Sequence, residues 1–305
     1  MPWPATSTAS KAISTSPSGD RLTDPGLLAA RALGYAALLL TAGVPLYMLV
    51  AGRRKLVSGR RSLPAVAMAA VIALAASAWG MLESVASMLA VPLGEVDRAT
   101  LQAILAETPL GMVFALRGLA LLLAAFAAAR RKCGLAAIAG SIALATNAWT
   151  GHAGATEGGL GTLHRLSDIV HLLAAAMWLG ALVIFLGALL GRSDRDAFIR
   201  SLAGFAAMGT ILVLLLLATG IVNMIAIAGW PPALTSDWAF LLMAKLGLFA
   251  AMLGCAALNR WRFAPALAAN APGSDRALRR SLAAETAAGF AVLLLVALLG
   301  TLSPS

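Results

Sequence analysis

Eight apolar segments, each close to or above the length needed to cross a bilayer, constrain this chain more than any motif in it. They run over about 27–50, 64–91, 110–129, 133–150, 166–190, 198–229, 238–258 and 281–302, and roughly 20 apolar residues of helix span the hydrocarbon core. Their polarity does not alternate, which separates them from the strands of a membrane barrel. Backbone groups in lipid must be satisfied within the segment, so each run is expected to be helical. The expected fold class is therefore all-α: a polytopic membrane helical bundle of about eight transmembrane helices. Composition agrees, with 60% hydrophobic and 12% charged residues, against roughly 25% charged in soluble domains. A soluble enzyme, a coiled coil and a disordered scaffold are excluded on that ground. Residues 1–26 are polar and rich in Ser, Thr, Pro and Ala. They contain no apolar run of signal-peptide length and read as a disordered tail ahead of a membrane domain over 27–305.

The net charge of +10 would suggest nucleic acid as the partner of a soluble protein. Here the basic residues cluster between apolar runs, so the expected partner is membrane lipid and no nucleic acid. Arg53, Arg54, Lys55, Arg60 and Arg61 lie on the first connection, and Arg130, Arg131 and Lys132 on the third. Arg192, Arg195 and Arg200 follow on the fifth, and Arg260, Arg262, Arg276, Arg279 and Arg280 on the seventh. The other connections carry only Arg98 and Arg165. An unbroken alternation of this kind orients a membrane protein with the basic loops in the cytoplasm. Both termini are then expected outside, in the periplasm if the membrane is a bacterial inner one. Trp79, Trp149, Trp230 and Trp238 fall near the outer interface, where an aromatic belt belongs.

The three histidines, His152, His164 and His171, lie within 20 residues of one another. His164, Asp168 and His171 are spaced 4 and 3 apart, which stacks them on one helical face. His152 sits in a Thr-Gly-His-Ala-Gly turn that can fold back toward them. Imidazole is the commonest metal ligand, and Asp168 can bind directly or orient a ring. A metal site, a haem ligand and a solvated loop all fit this spacing. Met81, Met88, Met112, Met177, Met224 and Met243 fall on the outer halves of their spans. Thioether sulfur is a soft ligand that favours Cu(I), and it is also common gap filler in apolar helices.

Charges inside spans are costly unless paired or hydrated. Glu83, Arg117, Asp168 and Lys245 share the outer half of the membrane, with Asn147 and Asn223 at similar depth. They form either a structural ion-pair network or a polar cavity below the histidines, with Lys245 expected to pair with Glu83 or Asp168. Cys133 and Cys255 lie far apart in different spans, so no disulfide framework is indicated. A Gly-rich phosphate loop, a nucleophile elbow and a His-Glu-x-x-His motif are absent from the sequence, and no catalytic residue or enzyme activity is expected.

Several stretches carry a resemblance to a known family. They are Thr150-Gly151-His152-Ala153, Leu163-His164 with Asp168, and His171 through Met177-Trp178-Leu179-Gly180. Further on come Thr219-Gly220 and the stretch from Leu241 through Lys245 to Asn259-Arg260, and Arg117-Gly118-Leu119 fits as well. Over about residues 27–302 the chain resembles the CopD copper resistance family of bacterial inner-membrane proteins. The resemblance implies eight spans, an inner-membrane location and copper homeostasis, with Cu(I) or Cu(II) as the metal. It further implies transport inward from the periplasm and a periplasmic copper-binding partner of the CopC type. His152, His164 and His171 match family positions. The residues alone leave a b-type cytochrome with a bis-His haem, and a copper-binding sensor or assembly factor, as alternatives. Three histidines cannot ligate two bis-His haems, and only His171 falls well inside an expected span.

Overall fold

A computed structural model describes residues 25–51, 58–156, 158–191, 194–229 and 236–302; residues 25–27, 58–61, His152 and Ala155 are described by backbone alone. Of the tail expected over 1–26, residues 1–24 lie outside the described residues, as do Arg53, Arg54, Lys55, Arg192 and Trp230.

The described chain is helical. In order come α1 (Pro25–Val50), α2 (Ser58–Met88), a 3-10 turn (Leu93–Glu95), α3 (Arg98–Glu107), α4 (Pro109–Ala129) and α5 (Cys133–Ala145). Two 3-10 turns follow, Thr146–Trp149 and His152–Ala155. Then come α6 (Gly158–Leu190), α7 (Arg195–Ala228), α8 (Asp237–Leu258), a π-turn (Asn259–Phe263), the short α9 (Ala264–Ala268) and α10 (Ser274–Leu299). Seven of these stretches are long and apolar enough to cross a membrane, and the apolar stretch Cys133–Trp149 is shorter. All eight expected spans thus correspond to helices, and the bundle is all-α.

Several boundaries differ from expectation. Helix α6 starts at Gly158 rather than near 166, α2 at Ser58 and α10 at Ser274. In each case the apolar helix carries a polar turn beyond the hydrocarbon, which hydropathy does not register. Helix α3 was not anticipated, because its ten residues are too few to cross a bilayer and mix polar with apolar side chains. It is started by Asp97, whose carboxylate accepts from the Thr100 backbone N–H and hydroxyl at 2.9 and 2.6 Å, a standard way of satisfying the free donors of a helix start.

Helix α1 is the centre of the bundle. It packs against α2, α5, α6 and α10. Small residues permit the close approach: a Cβ on Gly43 would strike the Ala176 carbonyl of α6, and one on Gly180 would strike the Gly43 backbone. Without a hydrophobic drive between helices in lipid, such small-residue contacts are a main source of packing energy. Around this crossing are two cores. One is built of alanine and leucine, including Ala42, Leu121, Ala143 and Leu144. The other is aromatic, with Tyr47, Phe185, Phe198 and Phe205 in edge-on contact at centroid distances of 5.4 to 6.0 Å.

The C-terminal part is more open. Helix α7 leans on α6, and α8 packs on α10, but the consecutive helices α7 and α8 have no broad contact with one another. A cleft floored by α6 therefore separates them. Of the expected aromatic belt, Trp79 and Trp149 are exposed, whereas Trp238 is buried and faces the protein rather than the interface.

Candidate functional site

The part of that cleft nearer the His152 turn gathers four of the polar side chains that sequence spacing singles out: Asp168, His171, Asn223 and Lys245. Asp168 and His171 project from α6 toward α7. The Asn223 amide donates to Asp168 Oδ1 at 3.3 Å, and His171 Nδ1 lies 2.9 Å from the Thr219 hydroxyl oxygen. Lys245 of α8 faces them from the other wall. It is close enough to Asp168 and His171 to interact electrostatically, yet among the described residues the direct ion pair is Arg195–Asp275. Lys245 thus joins Asp168, not Glu83. Asn223 Oδ1 is buried without a hydrogen-bond partner, so the cleft holds an unused acceptor beside the imidazole and the carboxylate.

Helical geometry explains the grouping. Asp168 and His171 are three residues apart and share a face of α6, as do Thr219 and Asn223, four apart, on α7. Thr219 also settles how His171 is used. Its hydroxyl donates to the Leu215 carbonyl one turn back, which commits its single proton. The imidazole Nδ1–H is then the donor to Thr219, which leaves the lone pair on Nε2, and the ring also meets the Leu216 backbone. That is the arrangement found at histidine metal ligands, where one ring nitrogen is anchored so that the other can bind.

His164 lies about 10 Å up the same helix, seven residues from His171. It is buried, 2% exposed, with Nδ1 at 2.9 Å from the Thr156 hydroxyl oxygen. The two rings are therefore anchored at different levels by different partners. The backbone of His152 opens the 3-10 turn His152–Ala155 just ahead of α6; its side chain lies outside those described. Among the described residues, no three His, Cys, Asp or Glu side chains converge closely enough to hold a metal ion.

Other expected members of the polar layer sit elsewhere. Arg117 is buried on α4, 5% exposed. It donates to Thr146 and Thr150 at 2.7 and 2.9 Å and stacks its guanidinium over Phe114. It clamps the 3-10 turn that leads to His152 instead of joining the acids. Asn147 donates to the Leu144 carbonyl at the end of α5, and Glu83 is half-exposed on α2. Glu83 and Arg117 thus lie apart from the Asp168–Lys245 group, contrary to the expectation of one network: Arg117 is on α4, which packs against α2 and α5, whereas Asp168 and Lys245 are on α6 and α8. Met88, Met112 and Met243 are exposed on the outside of the bundle, Met112 by 71%, while Met81, Met177 and Met224 are half-buried. Cys133 donates from Sγ to the Pro45 carbonyl, and Cys255 is a free thiol on α8.

Sequence spacing did not single out Thr219, Thr146 or Thr150, since threonine is unremarkable in a span. It also passed over Glu285, a carboxyl in an apolar helix, which is signal enough by itself.

Two family models match the chain. One, described as copper resistance protein D-like, N-terminal domain, covers residues 22–162; the other, copper resistance protein D, covers 199–299. His164, Asp168 and His171 fall between the two matched stretches. Copper resistance protein D of Pseudomonas syringae pv. tomato is 36% identical over 184 residues, 56% of this chain and 59% of that protein. Inner membrane protein YebZ of Escherichia coli (strain K12) is 33% identical over 159 residues, 52% of this chain and 55% of that protein. The chain spans somewhat more than half the length of these curated relatives. No solved structure matches.

Proposed function

The chain belongs to the copper resistance protein D family, and from that premise we propose that it takes copper ions from the periplasmic side of the bacterial inner membrane and passes them inward along the cleft between α7 and α8. The observation that carries this reading is the Asp168–His171–Thr219–Asn223–Lys245 group. It is a costly set of polar side chains inside an apolar bundle, with the imidazole anchored through Nδ1. Such groups within spans ordinarily line ion pathways.

His152 and His164 at the outer end form the entry, and His171 with Asp168 forms the next station inward. The distance of about 10 Å between the two α6 imidazoles favours sequential stations over a single three-histidine site. Imidazole accepts copper in either oxidation state. Of the six candidate thioethers, Met81, Met177 and Met224 are half-buried, whereas Met88, Met112 and Met243 are exposed. A periplasmic carrier of the CopC type is the proposed donor to the outer end, and 27–305 is proposed as one eight-span unit behind a periplasmic tail.

The arrangement favours copper over a bis-His haem. All three histidines of the chain lie between 152 and 171, and none is on a helix facing α6. Copper binding to the purified His152→Ala, His164→Ala and His171→Ala variants, with copper uptake into proteoliposomes, tests the proposal. His171→Ala is expected to lose most affinity, since it lies deepest and water replaces it least well. Equal affinity in the parent and all three variants would end the copper-site reading. Binding without uptake would favour a sensor or assembly role.

A further inference from the structure

The arginine-rich half of the same cleft contains a second polar group that copper ligation does not use. Between α7, α8 and the π-turn lies a cavity of about 510 Å³, walled by aliphatic and aromatic side chains such as Leu182, Phe185, Phe205 and Val213. On its wall Glu285 of α10 is buried, 2% exposed. Its Oε1 accepts from the Trp178 indole N–H at 2.8 Å, and its Oε2 accepts from the Asn259 amide at 2.9 Å.

Both donors are neutral. Arg260, the one cationic side chain lining this cavity, is turned to the Ala206 carbonyl and the Thr210 hydroxyl instead. Among the elements packed against α10, α1 brings Tyr47, whose hydroxyl is buried and unpartnered. The π-turn adds Arg262, and α8 adds Cys255 and Lys245. Lys245 is fourteen residues from Asn259, about 21 Å along the helix. On α6 the nearest ionisable side chain is His171, about 10 Å from Trp178 by the same measure.

We propose that this cavity is a proton-binding site, in which Glu285 takes up and releases a proton, Asn259 serves both of its states, and the exchange accompanies metal movement through the chain. The last part rests on the transport reading above; the proton site itself does not. Two N–H donors favour the carboxylate, and the apolar wall favours the acid, so neither state is held exclusively. Asn259 provides for both. Its Nδ2 donates to the carboxylate, while its Oδ1 is buried with no partner. Rotating the amide by half a turn exchanges the two, which are alike in size. Oδ1 then accepts the O–H of the protonated acid. Asn259 opens the π-turn Asn259–Phe263, a local widening that recurs at functional positions in helices. The chemistry is one proton from water added to a carboxylate oxygen to give the acid, and its return to water; no electrons move. Oxygen ligands suit hard cations poorly matched to Cu(I), which sets this site apart from the histidine stations.

Two measurements on the purified full chain test this. Infrared difference spectra across pH are expected to show a carboxylic-acid C=O band that appears and vanishes reversibly in the parent and is lost in Glu285→Gln. A parent-minus-variant spectrum that does not change with pH overturns the proton site. If Glu285→Gln does not fold, Trp178→Phe removes one N–H donor and is expected to shift the midpoint of that band; an unmoved midpoint also overturns it. In proteoliposomes with copper ions outside and a pH indicator inside, copper entry through the parent is expected to carry a pH change that Glu285→Gln abolishes. Copper entry with the same pH change in both overturns the coupling. If no copper enters through the parent, the transport reading and the coupling fall together, and the infrared band still decides the proton site.

Discussion

The hydroxyl of Thr219 accepts from His171 Nδ1–H at 2.9 Å while donating to the carbonyl of Leu215, so one side chain on α7 fixes both the orientation and the tautomer of an imidazole on α6. Thr219→Val keeps the shape and removes the acceptor. Copper affinity of the purified protein is expected to fall about ten- to a hundred-fold, the range seen when a partner behind a histidine ligand is lost. Thr219→Ser is expected to restore most of it. Equal affinities in parent and Thr219→Val would show that His171 does not need this anchor.

Lys245 and Asp168 oppose one another across the cleft without direct contact. Each offsets a charge that would otherwise stand alone in an apolar bundle. Lys245→Met raises the hydrophobicity of its span, yet is expected to lower the thermal midpoint in detergent. In the double variant with Asp168→Asn, the two losses are expected to be less than additive, with a coupling of about 0.5–3 kcal/mol. Strict additivity would mean that the two charges do not sense one another.

The spans were legible because a membrane helix must be apolar over its whole length, and that is a property of consecutive residues. The i, i+3 relation of Asp168 and His171 was legible for the same reason. Which helices adjoin is not a local property, and there the reading of depth alone misled. Arg117 shares its expected level with Asp168 but sits on α4, which packs on α2 and α5, where Thr146 and Thr150 take its N–H groups. Exposed Met112 and half-buried Met177 likewise look alike in sequence. Glu285 is conspicuous as a carboxyl in an apolar helix, but its segment holds no histidine or methionine to mark it as part of a site. Trp178 and Asn259, 107 and 26 residues away from it, could not have been paired with it by spacing.

Outside the spans, Asp97 gives a pH dependence with a definite sign. The Thr100 hydroxyl and backbone N–H hold its carboxyl below the usual carboxylate range. A group whose folded value is depressed contributes stability above its unfolded value, and that contribution is lost as pH falls through the folded value. Amide exchange over Arg98–Glu107, corrected for intrinsic rates, is therefore expected to accelerate as pH drops below the ordinary Asp value of about 3.9. Asp97→Asn keeps a good capping side chain and is expected to flatten the response. An identical pH response in the variant would remove Asp97 as its cause.

Orientation in the membrane decides which end of the cleft meets incoming copper. Contacts between helix ends show that the basic connections belong to one end of the bundle. Arg195 at the start of α7 bridges Asp275 at the start of α10 at 3.0 Å. Cys133, at the start of α5 beside Arg130, Arg131 and Lys132, donates to the Pro45 carbonyl in the last part of α1. The Thr146–Thr150 clamp of Arg117 and the turn at His152 belong to the opposite end. Lysine and arginine in short loops are retained in the cytoplasm, so the histidine end is expected outside. Reporter fusions after residues 57, 131, 196 and 270 are expected to read as cytoplasmic, and those after 157 and 233 as periplasmic. A cytoplasmic signal at 157 would place His152, His164 and His171 on the inner side. The cavity at Glu285 would then face the periplasm, and copper entry at the histidines from outside would be ruled out.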